Sequence, residues 1–348
     1  TTELETNEGK AMMLAEMIGQ QRNVEEIYEI PKRIMSVTKQ EIMNAAQKYL
    51  NGNYLAFYSR MGSMKKEKLE KPGYKPVIAN NNIVSDYAKK IEQMPSQPIK
   101  EKFVDFRNDI QHNRVKRGIN IYRVENPYNN IFTLKLKYGM GEYYHPLLKY
   151  ACQLVNLAGT TSKTVDQFKF ELAKLGCTLN VSSDRDYTTI EMIGIEEHLK
   201  EAVVLLNEFI QSTKAEASKL NNVLQGEKSN RKIEQSEPAQ IADALYNWVI
   251  YGQKSRFIDR PTLGELKKIG IDSLIKVFKL ATTFECDVHY IGKKSLEEII
   301  PLLKNNITWV SNPKSSLAPA DINYNQYSEN TVFFINEPKA IQSNIYFF

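Results

Sequence analysis

An alternating segment, Ile131–Tyr138, constrains the fold of this chain more than any other feature. Its apolar and polar side chains fall on opposite faces of a strand: Phe132, Leu134, Leu136 and Tyr138 against Thr133, Lys135 and Lys137. A strand with this alternation packs on a core with one face and meets solvent with the other. The segment therefore predicts a sheet that is covered on one side only.

The remaining apolar patterns predict a mixture of helices and strands. Helical spacing predicts helices over residues 146–158, 164–175, 199–210, 215–235 and 239–250, and another that starts at Ile271. Short apolar runs predict strands over residues 118–123, 177–183, 187–193 and 286–291. The first of these and Ile131–Tyr138 are predicted to pair as a hairpin around Asn126-Pro127-Tyr128-Asn129.

Charge and composition exclude several functional classes. A formal net charge of +5 over 348 residues is too dilute for a nucleic-acid-binding surface. The longest apolar stretch, around residues 202–210, is far shorter than the about 20 residues that a membrane-spanning helix needs. Three widely spaced cysteines exclude a disulfide framework and a four-cysteine zinc site: Cys152, Cys177 and Cys286.

The histidines form no metal-binding pattern by themselves. They are widely spaced in the sequence: His112, His145, His198 and His289. Glu197-His198 has half of a His-x-x-Glu-His motif, but Gly194 stands at the first ligand position. Gly139-Met140-Gly141 lacks the third glycine of a dinucleotide loop. Without a family comparison, these residues favour a binding or structural role.

The two ends of the chain suggest parts of further domains. Near the start, Thr38 and Glu41 have the spacing of a capping box; a helix, a break, a strand over residues 54–59 and Gly62 follow. The same order returns over residues 271–292, which predicts two related domains. At the other end, residues 331–335 and 343–348 are predicted as two strands, the second stopping inside an apolar run, so the chain looks truncated at both ends.

Between these parts, the charged and proline-containing residues 63–103 predict a linker. Val84, Tyr87 and Ile91 have helical spacing within it. We expect one short amphipathic helix there that lies against a neighbouring domain.

Several segments together resemble the pitrilysin/insulinase metallopeptidase family, the inverzincins. They are Gly139-Met140-Gly141-Glu142, residues 150–160, Leu175-Gly176, Leu179-Asn180, Tyr187-Thr188-Thr189, Arg256-Phe257 and residues 262–292. In that family a glycine-bearing strand precedes a helix that carries His-x-x-Glu-His and ends in Gly-Thr. The resemblance implies an α+β fold, with an antiparallel-rich mixed sheet packed on helices.

The resemblance also implies the domain limits. Residues 1–62 are expected to close a preceding αβ domain, and residues 63–103 to link two halves. Residues 104–315 would form a complete, degenerate metallopeptidase-like domain, and residues 316–348 the opening strands of a following one. Family members commonly contain four such domains, with the zinc site in the first and a degenerate copy in the third. The two halves close around the substrate.

This sequence departs from the family at the metal-binding positions. Tyr150 and Leu154 stand where the family has histidine, and Gln153 stands where it has glutamate. The third ligand position falls near Asn230, with Glu227 and Glu234 close enough to be alternatives. Zinc needs at least three nitrogen, sulfur or carboxylate ligands, and its bound water needs a general base. The resemblance therefore implies no catalytic residue, metal or cofactor in this chain, which would leave zinc to the N-terminal half of its parent.

The function implied is a non-catalytic half-shell of a zinc-dependent peptidase. Its expected partners are the N-terminal catalytic half of the same polypeptide and a peptide or small protein substrate. Bacterial periplasm or cell envelope is the expected setting. Two alternatives stay open: a non-enzymatic scaffold of the same fold, and an independent peptide-binding module whose Ile131–Tyr138 edge accepts a peptide strand.

Overall fold

A computed structural model describes residues 6–52, 54–59, 62, 73, 75, 83–98, 100–101, 103–338 and 343–347. The chain divides into two compact units, unit 1 (Thr1–Glu101) and unit 2 (Lys102–Phe348). None of the helices in this described part is long and apolar enough to cross a membrane.

The regular secondary structure in the described residues of unit 1 is helical. Its helices are α1 (Asn7–Gly19), α2 (Glu26–Ser36), α3 (Lys39–Tyr49) and α4 (Asp86–Glu92). The predicted capping box is confirmed, because the Thr38 hydroxyl accepts the N–H of Glu41 while the Glu41 carboxylate accepts the N–H of Thr38. Helix α4 falls within the predicted linker, about half of which lies outside the described residues.

Unit 2 is built on one mixed sheet of six strands. Its strands are β1 (Gln111–Lys116), β2 (Ile119–Glu125), β3 (Ile131–Tyr138), β5 (Thr178–Ser183), β6 (Thr188–Ile195) and β8 (Cys286–Gly292). Their spatial order is β1-β2-β8-β3-β6-β5, and every pairing is antiparallel except β2 with β8. A separate two-stranded pair joins β4 (Gly159–Thr160) to β7 (Thr213–Lys214).

The predicted hairpin between β2 and β3 is wrong. Strand β8 lies between them, parallel to β2 and antiparallel to β3. Instead β2 pairs with β1 through a tight turn at Gly118, whose φ of +72° favours glycine. The strand-addition alternative is wrong for the same reason, because both edges of β3 are already paired within the sheet.

Eight helices of unit 2 are described. They are α5 (Leu148–Val155), α6 (Val165–Lys174), α7 (Leu199–Ser212), α8 (Ala217–Ser236), α9 (Pro238–Tyr251), α10 (Leu263–Lys268), α11 (Ile271–Ala281) and α12 (Leu296–Asn306). Those predicted from apolar spacing are confirmed. Helix α6 begins after Thr164, whose hydroxyl accepts the N–H of Gln167, and it ends before Gly176 at φ +60°.

The one-sided sheet is confirmed by the burial of β3. Phe132, Leu134 and Leu136 are fully buried in the core, whereas Lys135 and Lys137 on the opposite face are only half-buried. The core-facing side chains of the sheet pack against apolar residues of α5, α7, α11 and α12. The observed class is α+β, with a mostly antiparallel sheet on helices.

Three of the predicted strand regions form no strand in the described residues. Residues 54–59 of unit 1 and residues 331–337 of unit 2 have no regular secondary structure, and neither do residues 343–347. The tip of the last predicted strand, Phe348, lies outside the described residues. A strand needs a neighbour to satisfy its backbone N–H and C=O groups, and no described segment pairs with these residues.

Candidate functional site

Helices α5 and α8 bring a tyrosine and a glutamate together inside unit 2. The Tyr150 side chain is 1% exposed, and its hydroxyl donates a hydrogen bond of 3.1 Å to Oε1 of Glu227. The Glu227 side chain is completely shielded from solvent. A buried carboxylate is costly unless it is paired and hydrogen-bonded, so its surroundings decide whether it stays charged.

Three cations surround this carboxylate. Arg231, one turn further along α8, donates from Nε to Glu227 Oε1 over 2.7 Å. Lys149 Nζ lies 3.2 Å from Oε2, and Arg260 Nη1 lies 3.7 Å from Oε1. These charges compensate the buried carboxylate from several sides.

Arg231 and Arg260 also tie the loop after α9 to α8. Arg231 Nη2 donates to the carbonyl of Pro261 over 2.6 Å and to the Tyr150 hydroxyl over 3.2 Å. Arg260 forms two hydrogen bonds to the Glu234 carboxylate, the shorter being 2.6 Å. A bidentate arginine–carboxylate pair fixes geometry as well as charge.

The protonation states follow from these contacts. Burial alone would raise the pKa of Glu227, but the Arg231 hydrogen bond and the Lys149 charge hold it below its ordinary value. Burial and the neighbouring Glu227 charge raise the pKa of Tyr150 to about 12. At neutral pH the site therefore holds an ionised glutamate and a neutral tyrosine that donates to it.

The other degenerate positions lie elsewhere. Leu154 is fully buried in the apolar core, Gln153 is half-buried on α5, and Asn230 is exposed on α8. Among the three candidates near the third ligand position, it is Glu227 that contacts Tyr150. One signal in the sequence pointed to Glu227, because Glu227 and Arg231 have the spacing of a helical ion pair.

The residues at this position do not fit a zinc ion. Leu154 has no donor atom, and Glu227, the one carboxylate of the described residues that bonds Tyr150, is already bonded to Arg231. No group of three or more His, Cys, Asp or Glu side chains among the described residues could hold a metal ion. Lys149 and Arg231 stand near the carboxylate as positive charges, which would repel a cation.

A cleft of about 610 Å³ opens next to Tyr150. It lies between the start of α5, the β5–β6 turn, α9 and the loop that follows α9. Four aromatic rings contribute to its walls: Tyr143, Tyr150, Tyr251 and Phe257. This volume is in the range of natural ligand sites, and a mixture of rings and polar groups is typical of them.

Glu142 lines the same cleft, and its pKa is shifted in the opposite direction from that of Glu227. Burial raises its pKa above the ordinary value, although a 2.6 Å hydrogen bond from the Ser183 hydroxyl opposes the shift. The nearby Cys152 thiol is buried, which raises its pKa to about 12 and leaves it a poor nucleophile.

A family comparison decides what kind of domain this is. Residues 148–255, which include α5, α8 and most of the cleft, match the model of the insulinase family, peptidase family M16. Over this segment the chain is similar to the insulinase family. Tyr150, Gln153 and Leu154 lie on the first helix of the matched region.

Solved structures show the same fold. A conserved protein from Enterococcus faecalis V583 is 16% identical, with a TM-score of 0.54 over 65% of this chain and 57% of that chain. The inactive domain of a peptidase M16 from Pseudomonas fluorescens is also 16% identical, with a TM-score of 0.52 over 62% and 53%. The periplasmic protease PqqL from Escherichia coli is 10% identical, with a TM-score of 0.54 over 94% and 36%.

The chain therefore spans little more than half the length of the first two of these structures. A comparison with curated protein sequences gave no match. At these identities the structural likeness shows the fold alone.

Proposed function

We propose that this chain is a non-catalytic half-shell that encloses a peptide for a zinc-dependent peptidase. The observation that carries the proposal is the Tyr150–Glu227–Arg231 network, which stands on the helix pair where the family is expected to hold its metal. The family match and the fold likeness to an inactive peptidase M16 domain support it. Zinc, in this proposal, belongs to the N-terminal half of the same polypeptide.

The proposed domain limits follow the resemblance. Residues 1–62 would belong to a preceding αβ domain, residues 63–103 would link the halves, and residues 104–315 would form the degenerate domain. Residues 316–348 would lead into a following domain, without the strands first expected of them.

The cleft of unit 2 is the proposed place of contact with the peptide. Tyr143, Tyr251 and Phe257 offer flat apolar surfaces, and Gln240 and Asn247 add amide groups that can bond a peptide backbone. Sites that combine aromatic walls with a few polar groups hold small ligands and peptide segments well.

The non-catalytic part of the proposal is tested by metal analysis and by cleavage assays on the purified full chain. We expect less than stoichiometric zinc and no cleavage of unstructured peptides. Tight one-to-one zinc, or chelator-sensitive cleavage by a homogeneous preparation, would contradict the proposal.

The peptide-binding part is tested by calorimetry with extended, unstructured peptides. Phe257→Ala removes one wall of the cleft and should weaken binding about tenfold, since a well-packed aromatic contact contributes on the order of 1–2 kcal/mol. Phe170→Ala is the matched control, because Phe170 is an exposed ring on α6 and does not line the cleft. Absence of binding to any peptide would favour the scaffold alternative.

A further inference from the structure

The cleft is lined by nearly equal numbers of basic and acidic side chains, but most of the basic ones are more exposed to solvent than the carboxylates they pair with. The basic side chains that line it are Lys149, Arg185, Lys254, Arg256 and Arg260, and the acidic ones are Glu142, Asp184, Glu234 and Asp259. Each of the five cations lies within 4 Å of a carboxylate. The exposure of the two partners therefore decides which charge a ligand meets.

In most of these pairs the cation lies outward and the carboxylate lies beneath it. The Arg256 side chain is 66% exposed and its partner Asp243 is 34% exposed. For Arg185 and Asp186 the values are 51% and 15%. Lys254 with Asp259 and Lys149 with Glu227 have the same orientation, whereas Arg260 and Glu234 are buried to a similar extent.

The two remaining carboxylates that line the cleft accept hydrogen bonds from neighbouring groups. Glu142 is half-buried and accepts the hydroxyl hydrogen of Ser183. Asp184 is exposed, but one of its oxygens accepts the backbone N–H groups of Asp186 and Tyr187 over 2.8 Å each. Among the charged side chains that line the cleft and are exposed, the cations Arg185, Lys254 and Arg256 therefore outnumber the carboxylate of Asp184.

Aromatic rings support two of these cations. The Arg256 guanidinium lies 4.8 Å from the centre of the Phe257 ring, and Lys254 Nζ lies 5.6 Å from that of Tyr143. A cation–ring contact and a deeper carboxylate together restrict where the positive group can point. The positive groups are therefore arranged before a ligand arrives, which lowers the entropy cost of binding one.

We infer that this cleft selects peptides with acidic side chains, a conclusion that rests on the proposed function. Carboxylates of the peptide would pair with the exposed cations Arg185, Lys254 and Arg256, while its apolar groups pack on the adjacent rings. Exposed ion pairs contribute little by themselves, so these cations can be shared with a ligand at small cost. Arginine then offers the bidentate geometry that carboxylates prefer.

The test compares three fluorescent peptides of equal length and aromatic content, one acidic, one neutral and one basic, by anisotropy with the full chain. We expect the acidic peptide to bind tightest, with an affinity that falls as salt is added. The double variant Arg185→Gln/Arg256→Gln should lose about tenfold in affinity for it, as expected for one to two charged hydrogen bonds. Circular dichroism of the variant confirms its fold.

The control is Lys174→Gln, since Lys174 is 54% exposed and paired with Glu171 on α6, away from the cleft. It should bind the acidic peptide as the unaltered chain does. Equal binding of the three peptides, tighter binding of the basic one, or an unchanged affinity of the double variant would each overturn the inference. Absence of binding to all three would instead overturn the proposed function.

Discussion

Unit 2 contains two buried tyrosine–glutamate pairs that share residue types and differ in their surroundings. In one, Tyr150 bonds Glu227 beside the cleft; in the other, Tyr290 bonds Glu196 at the end of the sheet. Both tyrosines are almost completely buried, and burial raises both pKa values.

The difference lies in what else contacts each pair. Glu227 is held by the side chains of Arg231 and Lys149, so its charge is matched by other charges. Around Tyr290 the contacts involve the backbone: the N–H of Lys294 donates to the tyrosine hydroxyl, while Arg123 donates to the carbonyl of Lys294. The first pair compensates charges next to a ligand-sized cleft, and the second fixes a loop.

Among the variants of these pairs, Glu227→Ala should lower the free energy of unfolding most. Removing the carboxylate leaves Arg231 and Lys149 without their counter-charge in a buried site, which should cost about 3–5 kcal/mol of unfolding free energy. Urea denaturation measures this loss. A loss below about 1 kcal/mol would mean that water reaches the cations and that the pair is not a buried one.

The control for that variant is Glu171→Ala. Glu171 and its partner Lys174 are both about half exposed, at 41% and 54%. Exposed ion pairs contribute roughly 0–1 kcal/mol, so this change should leave stability nearly unaltered.

Glu196→Ala should lower the free energy of unfolding by less than Glu227→Ala does. Its loss leaves the buried Tyr290 hydroxyl without its acceptor, which should cost about 1–3 kcal/mol. The same urea titration measures it. If Glu196→Ala lowered the free energy of unfolding as much as Glu227→Ala, the two tyrosine–glutamate pairs would not differ in the way proposed.

Tyr150→Phe should have a smaller effect. It removes the hydrogen bond to Glu227 and the one that Arg231 donates to the hydroxyl, but the ion pairs of Glu227 with Arg231 and Lys149 remain, which predicts a loss of about 1–2 kcal/mol. Combined with Glu227→Ala in a double-mutant cycle, the two changes should be non-additive, because they share a contact. Additive losses would show that the hydroxyl contributes nothing through Glu227.

The smallest expected change is the pH dependence of the stabilisation that Glu227 provides. The pKa of Glu227 in the folded chain is lower than its ordinary value of 4.5, so its stabilisation is complete above that value and is lost as pH falls through the folded pKa. The stability difference between the unaltered chain and Glu227→Ala should therefore narrow in acid. A difference that stays constant with pH would contradict an ionised Glu227.

Local signals predicted individual elements well. Thr164 and Gly176 marked the two ends of α6, and the alternation of β3 gave both the strand and its buried face. Such signals depend on neighbours a few residues apart, where backbone capping and side-chain periodicity act. The sequence also suggested Glu227 as an alternative to Asn230, but it did not indicate that Lys149 and Arg260 approach the same carboxylate.

Two similar sequence patterns formed different structures, because a strand forms only where other strands pair with it, here strands from distant parts of the chain. A helix, a break and a strand-like run occur both before Gly62 and before Gly292, yet only the second run becomes a strand, β8. Strand β8 is paired on both sides, with β2 and β3, which satisfies its backbone groups. No described segment pairs with residues 54–59.

By itself, the sequence determined the helices predicted from apolar spacing, most strands of the sheet and its one covered face. Tertiary structure alone decided the insertion of β8 between β2 and β3 and the meeting of Tyr150, Glu227 and Arg260. Helix and strand formation depend on contacts a few residues apart. Strand order and the burial of an ion pair depend on groups far apart in the chain, whose approach is fixed only when the whole core packs.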